Sequence, residues 1–434
     1  MPKLTILNLL LYIGLHLTVG FYLFRKVSQL LSGFDIKDRQ RVRKWAGWTV
    51  ASLMSLPTLG FALNRIEELR GSLLNNTIFL IGSAWILWVM IALVLLVPAD
   101  VLMWLLRRLY AVWQYILSYA RLRRPAESTA PALLRVEDAP LATLPAEDDV
   151  VTVVMPQLSR RAFLRQVAPL ALGFAAPSVI TGYSLLNNRT EFIINRMTLR
   201  FPDLPLELQG LKIAHLSDIH SGIYMPERKM EEIAEAVNAL QPDLVAMTGD
   251  FIMSHRDEIE PFVRAFVRLR STFGTFACAG NHDEWVGLEH FEEAMRQHRQ
   301  RLLRNETAVL CIDGVQLNVI GVDFARSNPH LLKEALKTAH PEGFKLLLCH
   351  YPDYFTTAKQ AGVDLMLAGH THGGQIALDL GGISLYPIDL FYKYPRGLYE
   401  EGKQKLYVNL GVGFSATPIR TVQPEIALIT LARL

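Results

Sequence analysis

Three stretches of this chain, Leu4 to Phe24, about Trp45 to Leu63, and Ile78 to Val97, are apolar over close to the ~20 residues an α-helix needs to cross a hydrocarbon core. Nothing else in the sequence restricts folding as tightly, because a segment in lipid has to satisfy its backbone hydrogen bonds internally. We read them as three transmembrane helices, the second interrupted by Pro57. A hydrophobic share of 51% and a mean hydropathy of +0.22 over 434 residues agree, since both are high for a soluble enzyme.

Charge placement orients these helices. Arg25, Lys26, Lys37, Arg39, Arg41, Arg43 and Lys44 follow the first run, whereas Arg65 and Arg70 after the second are balanced by Glu67 and Glu68. The positive-inside rule makes the first loop cytoplasmic and the second not. Arg107, Arg108, Arg121, Arg123 and Arg124 then return the chain to the cytoplasm. The net charge of +3 is too small, and its basic residues too scattered, to suggest a nucleic-acid binder. A transporter is disfavoured as well, because the runs carry no cluster of charges, and His16 alone reads as structural.

Residues 1–108 therefore form a membrane part, and 109–158 a cytoplasmic basic segment and a linker rich in Pro, Ala and acidic residues, from Pro125 to Gln157. Residues 159–189 hold Arg160 and Arg161 ahead of a moderately apolar stretch to Leu186. This is either a fourth membrane helix or a twin-arginine-like export signal set inside the chain, which would make the twin-arginine export machinery a partner. Both readings put the chain from about Asn187 onward outside the cytoplasm.

Residues 190–434 change to short apolar strands alternating with amphipathic helices, such as 226–240 with Met230, Ile233, Val237 and Leu240 on one face. The order predicts an α/β layered fold with polar residues gathered at strand ends. Cys278, Cys311 and Cys349 lie in strand-like runs and read as buried thiols, with no CxxC among them.

Five short motifs close predicted strands: SDIH with Asp218 and His220, GD with Asp250, GNHD with Asn281, His282 and Asp283, CH with His350, and GHTH with His370 and His372. Singly, each is as well explained by a turn or a structural histidine. Together they supply carboxylates, imidazoles and an amide without sulfur, a donor set suited to Mn, Fe, Zn or Mg. In extended backbone His370 and His372 would face one side and share a site, and the neighbouring glycines permit close approach. The set is the right size for two ions about 3.5–4 Å apart that share a carboxylate, activate water and clamp a phosphoryl group.

The ordered series from Asp218 to His372 resembles the calcineurin-like metallophosphoesterase superfamily. The likeness continues through GGQI, RGLY at Arg396 to Tyr399, LYVNLGVG, PIR and PEIALITL, and so covers about residues 191–434. This longer pattern is similar to the membrane-associated YkuE/YaeI-like phosphodiesterase branch. The resemblance implies a two-sheet β-sandwich flanked by helices, with Asp218, His220 and His372 holding one divalent metal, Asp250 bridging, and Asn281, His350 and His370 holding the second. It makes His282 the group that touches the phosphate and acts as general acid. Many relatives orient that histidine with an acidic residue three places after the bridging aspartate; here the position is Met253, and the substitute is Asp283 or another carboxylate. Arg420 is weighed as a phosphate contact against a surface arginine, and Gln375 as a partner of a ligand histidine against a loop-stabilising role.

The expected protein is a metal-dependent phosphoric ester hydrolase held at the cell membrane, probing the lipid bilayer for phosphodiesters of lipids or of the cell envelope. A lipid-linked pyrophosphate hydrolase and a non-catalytic sensory module with the same fold are the alternatives.

Overall fold

The structure, a computed structural model, describes residues 17–29, 31, 39–63, 73–122, 160–298, 300–323, 328–380, 383–415 and 417–434. His16, the 125–157 linker and the N-terminal part of the first apolar run lie outside the described residues. Contacts divide the chain into two units, residues 1–51 with 88–178, and residues 52–87 with 179–434.

Residues 17–29 are helical, and three long helices follow: α1 (Arg39–Leu63), α2 (Leu73–Leu122) and α3 (Arg160–Leu186). Two boundaries differ from the sequence reading. Arg39 to Lys44, expected in a loop, form the start of α1. The third apolar run does not stop at Val97, because Pro98 is accommodated inside α2 and helix-favouring Leu, Met, Arg and Ala continue beyond it without a turn signal. Among the described residues, Leu80–Tyr115 of α2 is the helix long and apolar enough to cross a membrane. Asp100 on that helix accepts a hydrogen bond from Tyr22 Oη at 2.9 Å and pairs with Lys26.

Residues 190–434 contain fourteen strands among those described: β1 (Ile193–Phe201), β2 (Lys212–Leu216), β3 (Leu244–Thr248), β4 (Thr275–Cys278), β5 (Arg301–Leu302), β6 (Glu306–Ile312), β7 (Val315–Gly321), β8 (Phe344–Leu348), β9 (Leu365–Ala368), β10 (Leu378–Leu380), β11 (Ile383–Leu385), β12 (Gly397–Glu401), β13 (Gln404–Val408) and β14 (Glu425–Arg433). They form one six-stranded sheet in the order β1-β14-β2-β3-β4-β5, another in the order β12-β13-β9-β8-β7-β6, and a β10–β11 hairpin.

The two sheets face each other. Ile213, Leu244, Ala246, Phe276 and Ile429 of the first pack with Leu317, Val319, Leu346, Leu348, Leu365 and Leu367 of the second. Strand alternation gives each sheet a second apolar face. On the first sheet Leu216, Val245 and Met247 meet helices α4 (Glu227–Ala239), α5 (Ile259–Phe266) and, past α6 (Asn281–Val286), α7 (Leu288–Gln297). The face predicted for α4 is the buried one: Met230, Ile233 and Val237 are fully enclosed. On the second sheet Ile320, Leu347 and Met366 meet α8 (Pro329–Ala335) and α9 (Phe355–Gln360). Cys278 and Cys349 are buried, but Cys311 is exposed, a correction that follows from its place on edge strand β6 pointing outward.

β2, β3 and β4 run parallel, as do β8, β9 and β13. Their C-terminal ends, which carry all five motifs, meet along one rim. Hydrogen bonds join the two sheets there: His350 Nδ1 to Thr248 O at 2.7 Å, Asn409 Nδ2 to His215 O at 3.1 Å, and Gly413 N to Asp218 O at 2.9 Å.

Candidate metal centre

The donor side chains sit on unusually turned backbone. Asp218, His220, Asp250, His370 and His372 have φ of 53°, 52°, 54°, 74° and 50°. Non-glycine residues rarely adopt this left-handed conformation, and such strain concentrates at functional sites. It corrects the expectation that His370 and His372 converge by extended alternation: two left-handed residues flank a right-handed Thr371. Glycine is needed where these turns press on one another. A Cβ on Gly369 would stand 2.2 Å from Asp218 Oδ2, and one on Gly280 2.2 Å from Asp250 Oδ1.

Two donor clusters result, Asp218 with His220 and His372, and Asp250 with His350 and His370, each within 4.8 Å. In the first, His372 Nε2 lies 3.2 Å from Asp218 Oδ1 and 3.1 Å from His220 Nε2. In the second, His350 Nε2 lies 3.1 Å from Asp250 Oδ2 and 3.2 Å from His370 Nδ1. Asp250 Oδ2 is also 3.7 Å from His220 Nε2, so one carboxylate oxygen faces both clusters. The arrangement fits a pair of cations. Nitrogen and oxygen donors converge with little solvent, and the buried Asn281 Oδ1 beside them has no hydrogen-bond partner.

Electrostatics follow from the same crowding. Burial opposes ionisation of Asp218 and Asp250, but the imidazoles around them, His372 first for Asp218 and His350 first for Asp250, hold both carboxyls below the usual range. Burial pushes His220 down to about 3 and His370 down to about 4. His350 is also desolvated, yet Asp250 and Asp218 raise it to about 9.

His282 starts α6 beside this centre, and its ring nitrogen is within 4.8 Å of the His220 and Asp250 donor atoms. Its backbone N–H donates to Asp250 Oδ1 at 2.9 Å. Its Nδ1 is 2.5 Å from the carbonyl oxygen of Met253. Asp283 does not orient it. That buried carboxylate instead accepts from the N–H groups of Asp250, Phe251, Ile252 and Gly280 at 2.8–3.1 Å and so holds the loop that carries Asp250. Burial and the Asp250 charge push Asp283 up to about 7 against those amides.

Two further expectations are corrected. Arg420 is no surface arginine but fully buried, and its guanidinium is taken up by the carbonyls of Leu410, Gly411, Gly413 and Val422, to which it donates at 2.5–3.0 Å. It thereby shapes the 410–413 loop, which packs on Asp218 and His372, whose Nδ1 is 3.5 Å from Arg420 Nη1. The Gln375 side chain touches no ligand histidine; it bonds Thr417 O, Ile419 O and Ser415 N at 2.7–2.9 Å, the loop-stabilising role.

Sequence reasoning missed three neighbours. Tyr392 Oη is 3.1 Å from His370 Nε2, and the Tyr351 ring is 5.0 Å from the His370 ring. The Trp285 ring lies 4.3 Å from the His282 ring, tilted at 43° to it, and is 69% exposed. Only Trp285 had a signal, since it stands three residues after His282 and thus on the same helical face.

A paired-sheet sandwich whose rim gathers two N/O donor clusters around one shared carboxylate defines a metal-dependent hydrolase of phosphate esters. Comparison with known proteins makes the class specific. Residues 211–374 match the calcineurin-like phosphoesterase family. The uncharacterized metallophosphoesterase YkuE of Bacillus subtilis is 30% identical over 287 residues, spanning 64% of this chain and 99% of that protein. Phosphodiesterase YaeI of Escherichia coli is 28% identical over 51% of this chain and 82% of its own length. The transmembrane protein with metallophosphoesterase domain of Bos taurus is 29% identical over 58% of this chain and 59% of its own. The chain belongs to the calcineurin-like metallophosphoesterase family.

Proposed function

We propose that this enzyme is a membrane-anchored phosphodiesterase with two divalent metals, and that it hydrolyses lipid-related or envelope phosphate esters on the outer side of the membrane. The observation that carries the proposal is the Asp250 carboxylate, with one oxygen facing two donor clusters and the other bonded to the backbone of His282. Asp218, His220 and His372 would hold one ion, Asn281, His350 and His370 the other, with Asp250 between them. Bound there, divalent ions neutralise phosphoryl charge and make water acidic enough to act as a nucleophile near neutral pH.

The protein's own groups do the rest. A carbonyl oxygen has no proton to give, so the His282–Met253 contact requires the hydrogen on Nδ1. Nε2 is then the nitrogen left to meet a substrate oxygen, and as an imidazolium His282 delivers a proton to the departing alkoxide. Trp285 braces the ring from its exposed side, and Tyr392 fixes His370 through the nitrogen that faces away from His350.

The diester preference is supported by the relative named phosphodiesterase. Membrane attachment is supported by the Leu80–Tyr115 helix and by the relatives named transmembrane proteins. The outer location rests on the basic residues at the start of α3, with Arg160 and Arg161 as the twin-arginine-like element.

The test uses the full chain in detergent, stripped of metal and resupplied with Mn, against a soluble aryl phosphodiester and the matching monoester. The proposal expects Mn-dependent diester turnover that Asp250→Asn and His370→Ala abolish. Two bound metals with neither ester cleaved would instead favour the sensory module.

A further inference from the structure

Between β11 and β12 the chain makes a short 3₁₀ turn, Pro387–Leu390, that leaves large apolar side chains in the open. Leu385 is 48%, Leu390 83% and Phe391 73% exposed. The backbone beneath them is well fixed. Phe391 N donates to Ile388 O at 2.9 Å, Arg396 pairs with Asp389, and the Arg396 guanidinium lies 3.5 Å over the Tyr386 ring. Ile388 packs so closely on Gly374 that a Cβ there would meet it at 2.7 Å. Exposed apolar side chains on a braced turn are a surface held ready for a partner.

Two observations say which partner. The turn adjoins the metal centre, since Tyr392, next after Phe391, touches His370 and Gly374 follows His372 by two residues. It also adjoins the end of an apolar helix: Tyr183 and Asn187, at and just after the last turn of α3, line one cleft of about 190 Å³ with Ser384 and Tyr386 of the hairpin segment. Leu186, the last residue of α3, is 89% exposed. The apolar turn, the end of α3 and tyrosines 183 and 386 are thus grouped as amphipathic and apolar residues are at a membrane surface.

We infer that Leu385–Phe391 is an interfacial lip, which buries Leu385, Leu390 and Phe391 in the outer leaflet and admits a phosphate ester carried by a membrane lipid to the metal centre. The inference rests on the phosphodiesterase reading for its chemistry but not for its geometry. Lys393, two residues past Phe391, is exposed and only loosely paired, 3.9 Å from Glu401, and adds a cation where anionic headgroups would lie.

The full chain is reconstituted in vesicles of phosphatidylcholine and phosphatidylglycerol, in a Cys311→Ser background; Cys278 and Cys349 are buried and stay unlabelled. An environment-sensitive fluorophore is placed at Leu390→Cys and, for comparison, at Lys403→Cys, a 69% exposed side chain in the β12–β13 turn. A lip in the leaflet gives blue-shifted emission quenched by spin-labelled lipid at 390, and iodide quenching only at 403. Iodide quenching at 390 equal to that at 403 overturns the lip. In a second arm, Leu390→Asp with Phe391→Asp should lower cleavage of phosphatidylglycerol in the vesicles by about tenfold or more while soluble aryl diester turnover stays within about twofold. Equal loss on both substrates, or vesicle lipid left intact by the parent chain, overturns lipid admission. Failure of the parent on the aryl diester counts against the phosphodiesterase reading and leaves the fluorescence result to decide the lip.

Discussion

Nδ1 of His282 lies 2.5 Å from the main-chain oxygen of Met253. At this position many relatives were expected to supply an acidic side chain, yet the backbone meets the same need, an acceptor that fixes the ring and its proton. Met253 is itself held by its N–H to Ser221 O at 3.1 Å. The methionine side chain is therefore no sign of a site released from catalysis.

Met253→Ala should keep kcat within about threefold of the parent, because it leaves the carbonyl in place, whereas His282→Ala should cost about 10²–10⁴-fold. Saturation kinetics with Mn and an aryl phosphodiester check both. A collapse of kcat in Met253→Ala would show that the side chain, not the backbone, sets the histidine.

Asp283→Ala should unseat Asp250. Four buried amide N–H groups lose their acceptor, and unsatisfied buried donors cost about 1–3 kcal/mol each without adding fully. We expect a net loss of about 3–5 kcal/mol, seen in thermal unfolding, together with weaker Mn binding in a metal titration. Weaker binding at unchanged stability would mean that the carboxylate acts on the metals directly.

The paired α/β layers and the donors could be read from the sequence because both depend on local pattern. Apolar runs ending in Asp, Asn or His mark strand ends wherever the strands later pair, and the α4 face follows from the spacing of Met230, Ile233 and Val237. What could not be read depends on long-range contact or on unusual backbone. The Tyr392–His370 contact joins a loop to a motif 22 positions away, with no periodicity to announce it. The left-handed turns at His370 and His372 replaced the extended geometry that their spacing suggested. Arg420 looked like an anion ligand because a lone arginine near the end of a chain carries no mark of burial; only the folded 410–413 loop reveals four carbonyls around it.

Those carbonyls make the Arg420 reading testable. Burial lowers its pKa to about 10, with Asp218 and Glu425 opposing. Arg420→Lys keeps the charge but not the planar fork, so it should destabilise the domain by about 2–4 kcal/mol, as a broken buried network does. The KM of whatever enzyme survives should stay near the parent value. A raised KM at parental stability would restore Arg420 as a phosphate contact.

His215 gives a prediction about acid. It is fully buried on β2, with Nε2 2.8 Å from Thr248 Oγ1, and burial lowers its pKa to about 3 despite the attraction of Asp218. An unfolded histidine titrates near 6.5. Between those values the unfolded chain binds a proton that the folded chain does not, so this contribution to stability is complete above about pH 6.5 and is lost as pH falls toward 3. The slope approaches about 1.4 kcal/mol per pH unit. His215→Gln keeps an amide that can bond Thr248 but cannot titrate there. Unfolding free energies from urea melts, taken at a series of pH values, should show the variant less stable than the parent near pH 7 and the gap closing as the pH falls. A gap that stays constant with pH would mean that His215 is already protonated in the folded protein, or that acid unfolding is set by the metal-binding histidines alone.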